Sequence, residues 1–293
     1  MSANKNLFIS FSGGRTSALM TKLLLEHQQK TDIYKEVIIL FANTGLEHEE
    51  TLTFIHKCET FFNFPIVWVE AVIRRGSGNG TRHKIVQYDT ASRKGEPFEA
   101  MVQKYGIPNN AGMFCTRELK LQAMTSYLRS IGWRKNDYVT AIGIRRDEID
   151  RVSKNAILNN IYYPLIKDFP TTKKDVLAFW AQQPFNLQIP EHLGNCITCW
   201  KKSKRKLFTI MQEYPNAFDF FEMLEQQYGE AGNHTLQEKR TFFRNRESTL
   251  DLREQLLALE NFNPFTDSYY VDMQNYSEEL DRAGGCSESC EIY

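Results

Sequence analysis

A serine- and glycine-rich segment near the start of the chain has the residue types of an anion-binding loop. It follows the apolar run 7–10 and leads into a helical pattern near Thr16, and its sequence is Ser12-Gly13-Gly14-Arg15-Thr16-Ser17. Glycines let a backbone approach a phosphate closely, and the first amides of a helix donate hydrogen bonds to it. Thr16 and Ser17 can add hydroxyl donors, and Arg15 can neutralise a polyphosphate. Taken alone, these residues fit a phosphate loop and a plain capped turn equally well.

The chain lacks the glycine patterns of other nucleotide-binding classes. No G-x-x-x-x-G-K-[ST] Walker loop occurs in it. The polar loop 74–82 is rich in glycine but lacks the G-x-G-x-x-G spacing of a dinucleotide site, so we predict a mobile surface loop there.

Cysteines supply the second candidate chemistry. The chain contains Cys58, Cys115, Cys196, Cys199, Cys286 and Cys290. Cys196 and Cys199 form a C-x-x-C pair, the spacing at which two thiolates can bind one metal centre. In a reducing compartment, clustered cysteines favour metal or redox chemistry over structural disulfides. A pair of unliganded thiols is the alternative interpretation.

Basic residues at three places are candidates for binding anions. Arg145 and Arg146 follow an apolar run and could hold a sulfate, a phosphate or a second substrate bidentately, or form surface ion pairs. Arg117 and Lys120 could form a second anion clamp or a solvated helix face. The run 201–206, KKSKRK, is typical of a solvated helix start, but it could also contact a nucleic-acid backbone.

The elements that must position these residues alternate between apolar strands and helices. We predict strands at LFIS (7–10), VIILFA (37–42), PIVWV (65–69) and YVTAIGI (138–144). We predict helices from Thr16 and over 46–62, 97–105, 116–131 and 172–182. This alternation indicates an α/β fold, a Rossmann-like parallel sheet with helices on both faces. A change of character near residue 190 predicts a nucleotide-binding domain over 1–190 and a helical, cysteine-bearing region over 191–293.

The carboxyl end of the second predicted strand is a further candidate site. Ligands of open α/β sheets bind outside the carboxyl ends of strands, and Asn43, Thr44 and Gly45 stand at such an end. Glu47 could accept a hydrogen bond from a ribose, or it could favour the first turn of the following helix.

Composition limits the classes of protein. Hydrophobic residues are 42% and charged residues 25% of the chain, and the formal net charge is +0, which argues against disorder and against a general nucleic-acid coat protein. The chain starts without an apolar run of signal-peptide length, and no stretch reaches the ~18 apolar residues of a membrane helix. We therefore expect a cytoplasmic protein that does not enter a membrane.

Several segments together resemble one family. FSGGRTS resembles the Ser-Gly-Gly-x-x-Ser pyrophosphate loop (PP-loop) of the adenine nucleotide α-hydrolase superfamily, which contains phosphoadenylyl-sulfate reductases and ATP pyrophosphatases. Similar matches follow in family order across residues 7–205: FANTGLEHEETLTF, FCTRELKLQAM, GIRRDEIDR and YYPLIKDFPTTKKDVLAFW. The chain is identified as a member of the phosphoadenylyl-sulfate reductase family, with the PP-loop fold that this implies.

The resemblance implies an enzyme that binds an adenine nucleotide, either ATP or an adenylyl-sulfate. ATP would be attacked at its α-phosphorus, with pyrophosphate released and the adenylated substrate then thiolated or otherwise displaced; Mg²⁺ is a further candidate cofactor. Gly143 joins the predicted nucleotide site, and Arg15, Arg145 and Arg146 are the predicted catalytic arginines. The family's ATP pyrophosphatases have Lys and Asp where this chain has Arg15 and Thr16, so the role of that Asp is not carried over.

The resemblance also implies an iron–sulfur cluster. Assimilatory adenylyl-sulfate reductases hold a cluster with an early cysteine and a later C-x-x-C, which Cys115, Cys196 and Cys199 resemble. Those enzymes have a cysteine pair where this chain has Phe114-Cys115, so we expect the fourth ligand of a [4Fe-4S] cluster from the tail, Cys290 rather than Cys286. Zinc is the rival metal. The reductases also carry a C-terminal nucleophilic cysteine, a role that Cys290 could play instead.

Three functions follow from the sequence. The first is activation of a substrate by ATP for sulfur transfer or a related modification, with a sulfur- or electron-donor protein as partner and tRNA or DNA as a further possible partner. The second is a thiol-dependent reductase of adenylyl-sulfate or phosphoadenylyl-sulfate. The third is a nucleotide-sensing or nucleic-acid-binding module without turnover.

Overall fold

The fold is organised around a six-stranded sheet with the strand order β4-β3-β2-β1-β5-β6. The computed structural model describes residues 5–76, 78–232, 239–266 and 280. The strands are β1 Asn6–Ser10, β2 Val37–Asn43, β3 Ile66–Val72, β4 Arg82–Val86, β5 Tyr138–Ala141 and β6 Ile161–Tyr162. All neighbouring strands are parallel except β3 and β4, which are antiparallel.

The central position of β1 creates the switch point of the sheet. From β1 the chain moves outwards through β2 to β3 and β4, and it then crosses back to β5 on the other side of β1. The carboxyl ends of β1, β2 and β5 therefore lie along one edge, and the loops that follow β1 and β5 diverge there. Open α/β sheets bind ligands at such a point.

Helices cover both faces of the sheet, so the predicted α/β class is confirmed. They are α1 Arg15–Thr31, α2 Glu49–Phe62, α3 Glu96–Tyr105, α4 Ala123–Ser130, α5 Pro164–Lys167, α6 Lys173–Ala181, α7 Lys204–Glu213, α8 Asp219–Tyr228 and α9 Thr249–Ala258. A π-helical segment, Cys115–Gln122, leads directly into α4. None of the described helices is both long and apolar enough to cross a membrane.

Successive side chains along each strand point to opposite faces of the sheet, so the core has one large hydrophobic cluster on each face. In β1, Leu7 and Ile9 belong to the cluster that packs against α1, α2 and α6, whereas Phe8 belongs to the cluster on the other face. That second cluster includes Phe208 of α7 and Phe221 of α8, together with side chains of α3, α4 and α9. Residues from both sides of position 190 thus share one hydrophobic cluster.

The predicted elements are confirmed where the strands are buried and apolar, and they differ at the sheet edges. Strand β4 begins at Arg82, the last residue of the predicted loop 74–82, and was not predicted. Its sequence RHKIV is exposed at most positions, so it lacks the apolar run of a buried strand. Strand β5 ends at Ala141, three residues before the predicted end. The predicted helix 116–131 begins as a π-helix, which periodicity did not indicate.

The shared cluster predicts that the C-terminal helices unfold together with the sheet. Phe221 is 1% exposed and its ring stacks on Phe242 at 4.0 Å between centroids, so Phe221→Ala should lower the free energy of unfolding by about 3–5 kcal/mol. Urea denaturation followed by circular dichroism measures this loss, with Phe61→Ala as the control because Phe61 is 52% exposed. Separate transitions for the sheet and for α7–α9 would contradict the prediction.

Candidate functional site

The segment 12–17 forms a tight turn between the central strand and α1. Gly13 has a φ of +80°, and a Cβ there would lie 2.9 Å from side-chain atoms of both Thr51 and Ile55. The Ser12 hydroxyl donates to Oγ of Ser17 at 3.0 Å, and the Ser17 hydroxyl donates to the Gly14 carbonyl at 3.0 Å. The turn is therefore fixed by glycine and by hydroxyl contacts within it.

The amino end of α1 points its backbone donors out of this turn. Gly14 is the N-cap residue, and among the described residues no side chain caps the helix start. Among the described residues, a Cβ on Gly14 would have only the Ser12 hydroxyl within 4 Å, at 3.8 Å, so these residues leave the space above Gly14 open. The first amides of a helix together with its dipole attract an anion at such a place.

The loop after β5 closes one side of the turn. Gly143 lies against α1, because a Cβ on it would be 3.4 Å from the Cα of Ser17. Arg145 follows and donates from Nη1 to the Thr16 hydroxyl at 3.3 Å. The structure thus brings the predicted residues Thr16, Gly143 and Arg145 together with the loop.

Carboxylates hold Arg145 in place. Its Nε lies 3.0 Å from Asp147 and its Nη2 lies 3.2 Å from Glu148. Burial by itself would raise the pKa of Asp147, but the hydrogen bond and charge of Arg145 hold that pKa below its ordinary value. Arg146 is exposed, and its backbone N–H donates to the Thr171 carbonyl at 2.9 Å. Joint binding of an anion by the two arginine side chains stays a prediction.

The Arg15 side chain contacts the segment that follows α6. Its Nε donates to the Leu187 carbonyl at 3.2 Å, and its own carbonyl accepts a 2.9 Å hydrogen bond from Nε1 of Trp180. Trp180 is 1% exposed and packs on Phe54. These contacts tie the turn to α6 and to the segment after it. Sequence reasoning did not single out Trp180 as a support of the loop, although it lies within the family-like segment 162–180.

The end of β2 is held by a buried carboxylate. Asn43 is fully buried and donates from Nδ2 to Glu70 at 2.6 Å and to the Ser92 carbonyl at 2.8 Å. Lys84 of β4 lies 2.8 Å from the Glu70 carboxylate. Burial would raise the pKa of Glu70, but the hydrogen bonds from Lys84, Ser92 and Asn43 together hold it below its ordinary value.

The next residues form a turn around Glu47. Its carboxylate accepts hydrogen bonds from the Thr44 N–H at 3.0 Å, the Thr44 hydroxyl at 2.8 Å and the Leu46 N–H at 3.2 Å. Gly45 has a φ of +83° in this turn. Helix α2 begins only at Glu49, so Glu47 stabilises the turn and is not part of the helix. A ribose contact for Glu47 stays a prediction.

The C-x-x-C segment packs directly against this turn. Cys196 forms an antiparallel bridge with Glu47, and the Ile197 N–H donates to the Leu46 carbonyl at 3.3 Å. The Thr44 hydroxyl lies 3.5 Å from the Cys196 sulfur. The structure therefore places the predicted cysteine pair beside the end of β2, the strand next to the phosphate-loop strand.

Three predicted cysteines line one small cavity. It has a volume of about 20 Å³, and its lining is Thr44, Phe98, Cys115, Thr116, Lys120, Cys196, Cys199, Trp200 and Phe221. Among the described residues, no three His, Cys, Asp or Glu side chains are grouped closely enough to hold a metal ion. Cys286 and Cys290 lie outside the described residues. The three thiols share one cavity, but within the described part of the chain they do not form a complete set of metal ligands.

Arg117 and Lys120 have different contacts on the π-helical segment. Lys120 lines the cysteine cavity. The Arg117 side chain is 49% exposed, and its guanidinium lies over the rings of Tyr105 and Phe114 at 5.5 and 5.1 Å. An α-helix would place residues three apart on one face, whereas the wider π-helical turn shifts that register. An anion clamp formed by these two residues stays a prediction.

The expectation of a solvated basic run at 201–206 is wrong. Four of its cations are at most 8% exposed: Lys201, Lys202, Arg205 and Lys206. Lys202 donates to the carbonyl of Ile197 at 2.8 Å, inside the C-x-x-C segment, and Lys206 pairs with Glu191 at 3.1 Å. Buried ammonium groups need such partners, and these partners lie outside the run. This segment therefore supports the cysteine loop and does not present a basic surface.

The chain is similar to known proteins of one family. The family model of the phosphoadenosine phosphosulfate reductase domain matches residues 6–171, more than half of the chain. An uncharacterised nin region protein of Escherichia phage lambda is 36% identical over 288 residues, covering 97% of this chain and 94% of that protein. Two uncharacterised proteins of Methanocaldococcus jannaschii are 24% and 22% identical, and the matches cover 43% and 57% of their lengths.

The buried carboxylate of Glu70 predicts a pH-dependent stability. Because its native-state pKa is lowered, its contribution is fully present above the unfolded-state pKa of about 4.3 and is lost as pH falls through the native-state pKa. Glu70→Gln should therefore be less stable than the wild type at neutral pH, and the difference should shrink towards pH about 3.5. Denaturation at several pH values measures it, with the exposed Glu50→Gln as control. A deficit that is constant with pH would contradict the prediction.

Proposed function

Because the chain belongs to the phosphoadenosine phosphosulfate reductase family, we propose that it is an enzyme that binds ATP at the loop 12–17 and activates a substrate by adenylation. The observation that supports this proposal most directly is the start of α1. It has no side-chain cap among the described residues, and it follows the glycine turn at the switch point of the sheet. Backbone donors converge there on open space, as a polyphosphate requires.

The surrounding residues suggest how ATP would lie. The pyrophosphate part would accept hydrogen bonds from the amides at the start of α1, close to the Thr16 hydroxyl and to Arg145. Gly14 leaves the space that this approach needs. The adenosine would lie along the strand ends, beside Gly143 and the turn at 43–45. Arg15 would assist by charge from its place at the edge of the loop.

The proposed chemistry is a displacement at the α-phosphorus. An oxygen of the substrate forms a bond to that phosphorus, the bond to the bridging β-phosphate oxygen breaks, and pyrophosphate leaves with the electron pair. Arg145 lies beside the loop, where a guanidinium can stabilise charge that develops on the phosphate oxygens. AMP then becomes the leaving group when a sulfur nucleophile or another nucleophile attacks the adenylated substrate.

The cysteines that line the cavity would serve the second half of such a reaction. Their three thiols are the soft ligands that an iron–sulfur cluster uses, and Lys202 places a buried positive charge in the same loop. We propose that Cys115, Cys196 and Cys199, with Cys290, hold a [4Fe-4S] cluster. When bound, the cluster would supply electrons or bind sulfur. The Thr44 contact to Cys196 makes this cavity the neighbour of the proposed nucleotide site.

The ATP site predicts that Gly14→Val abolishes nucleotide binding and leaves a folded protein. Gly14 has a φ of −97°, which valine can adopt, but its side chain would fill the space above the loop. Calorimetry with ATP and an assay of pyrophosphate release measure the loss. Gly80→Val is the matched control because a Cβ on Gly80 meets nothing within 4 Å and this residue lies in the other glycine-rich loop.

Unchanged ATP affinity in Gly14→Val, or a loss in Gly80→Val of the same size, would contradict the assignment of the loop. The same assay separates the two enzymatic functions. Release of pyrophosphate from ATP supports activation, whereas release of sulfite from an adenylyl-sulfate, without turnover of ATP, would replace it with the reductase function.

The cluster predicts iron and sulfide in anaerobically purified protein, with colour that oxygen bleaches. Cys199→Ser should lose the metal because it removes one of the proposed ligands. Cys58→Ala should retain it because Cys58 is buried in the other hydrophobic cluster, where burial raises the pKa of its thiol. Zinc in place of iron would reject the cluster. Metal-free protein with full activity would reject any metal, and loss of activity without loss of metal in Cys290→Ser would make that thiol the nucleophile.

A further inference from the structure

A row of cations and aromatic rings lies beside the cysteine-bearing π-helical segment. Lys104 lies over the ring of Tyr105 at 5.0 Å, and Arg117 lies over the rings of both Tyr105 and Phe114. Arg240 lies over the Phe114 ring at 5.5 Å. The two rings stack at 6.0 Å between centroids with an angle of 27°. We call these five residues the basic–aromatic ridge.

The glycine-rich loop extends the positive charge of this ridge. Lys104 donates to the carbonyl of Arg74 at 2.6 Å and also to that of Asn79, which holds the loop against the end of α3. Residues 73–82 contain Arg74, Arg75 and Arg82 and no acidic residue. All three arginines are exposed. The loop therefore adds three exposed arginines to a segment that Lys104 holds by its backbone.

Within the described ranges, an ion pair links the ridge to an acidic residue. The Glu118 carboxylate lies 2.6 Å from Nε of Arg117. Glu118 is 5% exposed and also accepts a hydrogen bond from Thr81, so it faces inwards. The Glu118 carboxylate binds Arg117 at Nε. About half of the Arg117 side chain is exposed to solvent, at 49%.

We propose that the basic–aromatic ridge binds the phosphodiester backbone of a nucleic acid. Planar guanidinium groups bind phosphate oxygens bidentately, and stacking on rings fixes these groups before the ligand arrives. Nucleic-acid surfaces combine such cations with aromatic faces on which bases stack. An acidic protein segment would use the cations but not the rings, which is why the interleaved arrangement favours a nucleic acid.

The ridge leads directly to the proposed reaction site. Phe114 and Arg117 flank Cys115 and Thr116, and both of those residues line the cysteine cavity. A strand bound along the ridge is thus presented to the cavity. That this nucleic acid is the substrate activated by ATP rests on the proposed function; its binding to the ridge does not.

The test measures binding of short fluorescent single-stranded RNA, single-stranded DNA and duplex DNA to the full chain without nucleotide, over a range of salt. The double variant Arg117→Gln/Arg240→Gln removes two ridge cations. If both contact phosphates, the slope of log affinity against log salt should fall by about 1.4–1.8, and the affinity should fall about tenfold or more near 0.1 M salt. The three ligands distinguish RNA from single-stranded and duplex DNA.

The matched control is Lys30→Gln/Lys57→Gln, which removes the same charge from exposed positions on α1 and α2, over the opposite face. It should leave affinity and slope nearly unchanged. Arg74→Gln/Arg75→Gln, in the exposed loop, repeats the test if the first variant fails to fold. Phe114→Leu keeps every charge and should weaken binding with little change of slope, because the guanidiniums lose their supporting ring.

Three results would overturn the proposal: no binding by the wild type at low salt, equal losses in the ridge and control variants, or displacement by polyglutamate as effective as by unlabelled oligonucleotide. Pyrophosphate release is measured separately. Oligonucleotide binding without ATP turnover would reject the adenylation proposal and retain the ridge, whereas turnover without oligonucleotide binding would do the reverse.

Discussion

At Gly13 the chain turns from the central strand into α1 with a φ of +80°, and any side chain there would collide with Thr51 and Ile55. This close packing brings the start of α1 to the edge of the sheet, between the ends of β2 and β5. Gly143 also packs against α1, since a Cβ on it would already be in van der Waals contact with Ser17. The open backbone donors of α1 depend on these close approaches, and the proposed polyphosphate site depends on those donors.

A second set of contacts connects this edge to the cysteines. The buried Glu70 carboxylate fixes Asn43, and Glu47 closes the turn that follows. The C-x-x-C segment pairs with that turn through a β-bridge between Cys196 and Glu47. The Cys196 sulfur also lies beside the Thr44 hydroxyl. A ligand that shifts the turn would therefore also shift the cysteine loop. This contact supports the proposal that activation and sulfur or redox chemistry share one site.

The sequence predicted the parts of the fold that depend on local pattern. Buried parallel strands have continuous apolar runs, and the glycine loop has a recognisable composition, so both could be located. The edge strand β4 could not, because exposure on the edge removes the apolar signal. The burial of Lys202 and Lys206 depends on partners outside the basic run, and a run of lysines by itself predicts a solvated surface.

The candidate site shows the same division. Composition and family resemblance identified Ser12 to Ser17, Arg145 and the three cysteines near the cavity. They did not indicate that Arg15 turns towards Leu187, since that contact spans 172 positions of sequence. The π-helical form of Cys115–Gln122 was likewise hidden, because the same residues are compatible with an α-helix.

The central claim is that the start of α1 binds the phosphates of ATP. A crystal structure grown without oxygen, with a non-hydrolysable ATP analogue bound, tests it most directly. We expect the β- and γ-phosphates to accept hydrogen bonds from the amides of residues 13–17, with the adenosine beside Gly143 and the turn at 43–45. Phosphates bound at the glycine-rich loop 74–80, or a loop 12–17 that remains empty beside a bound nucleotide, would contradict the account.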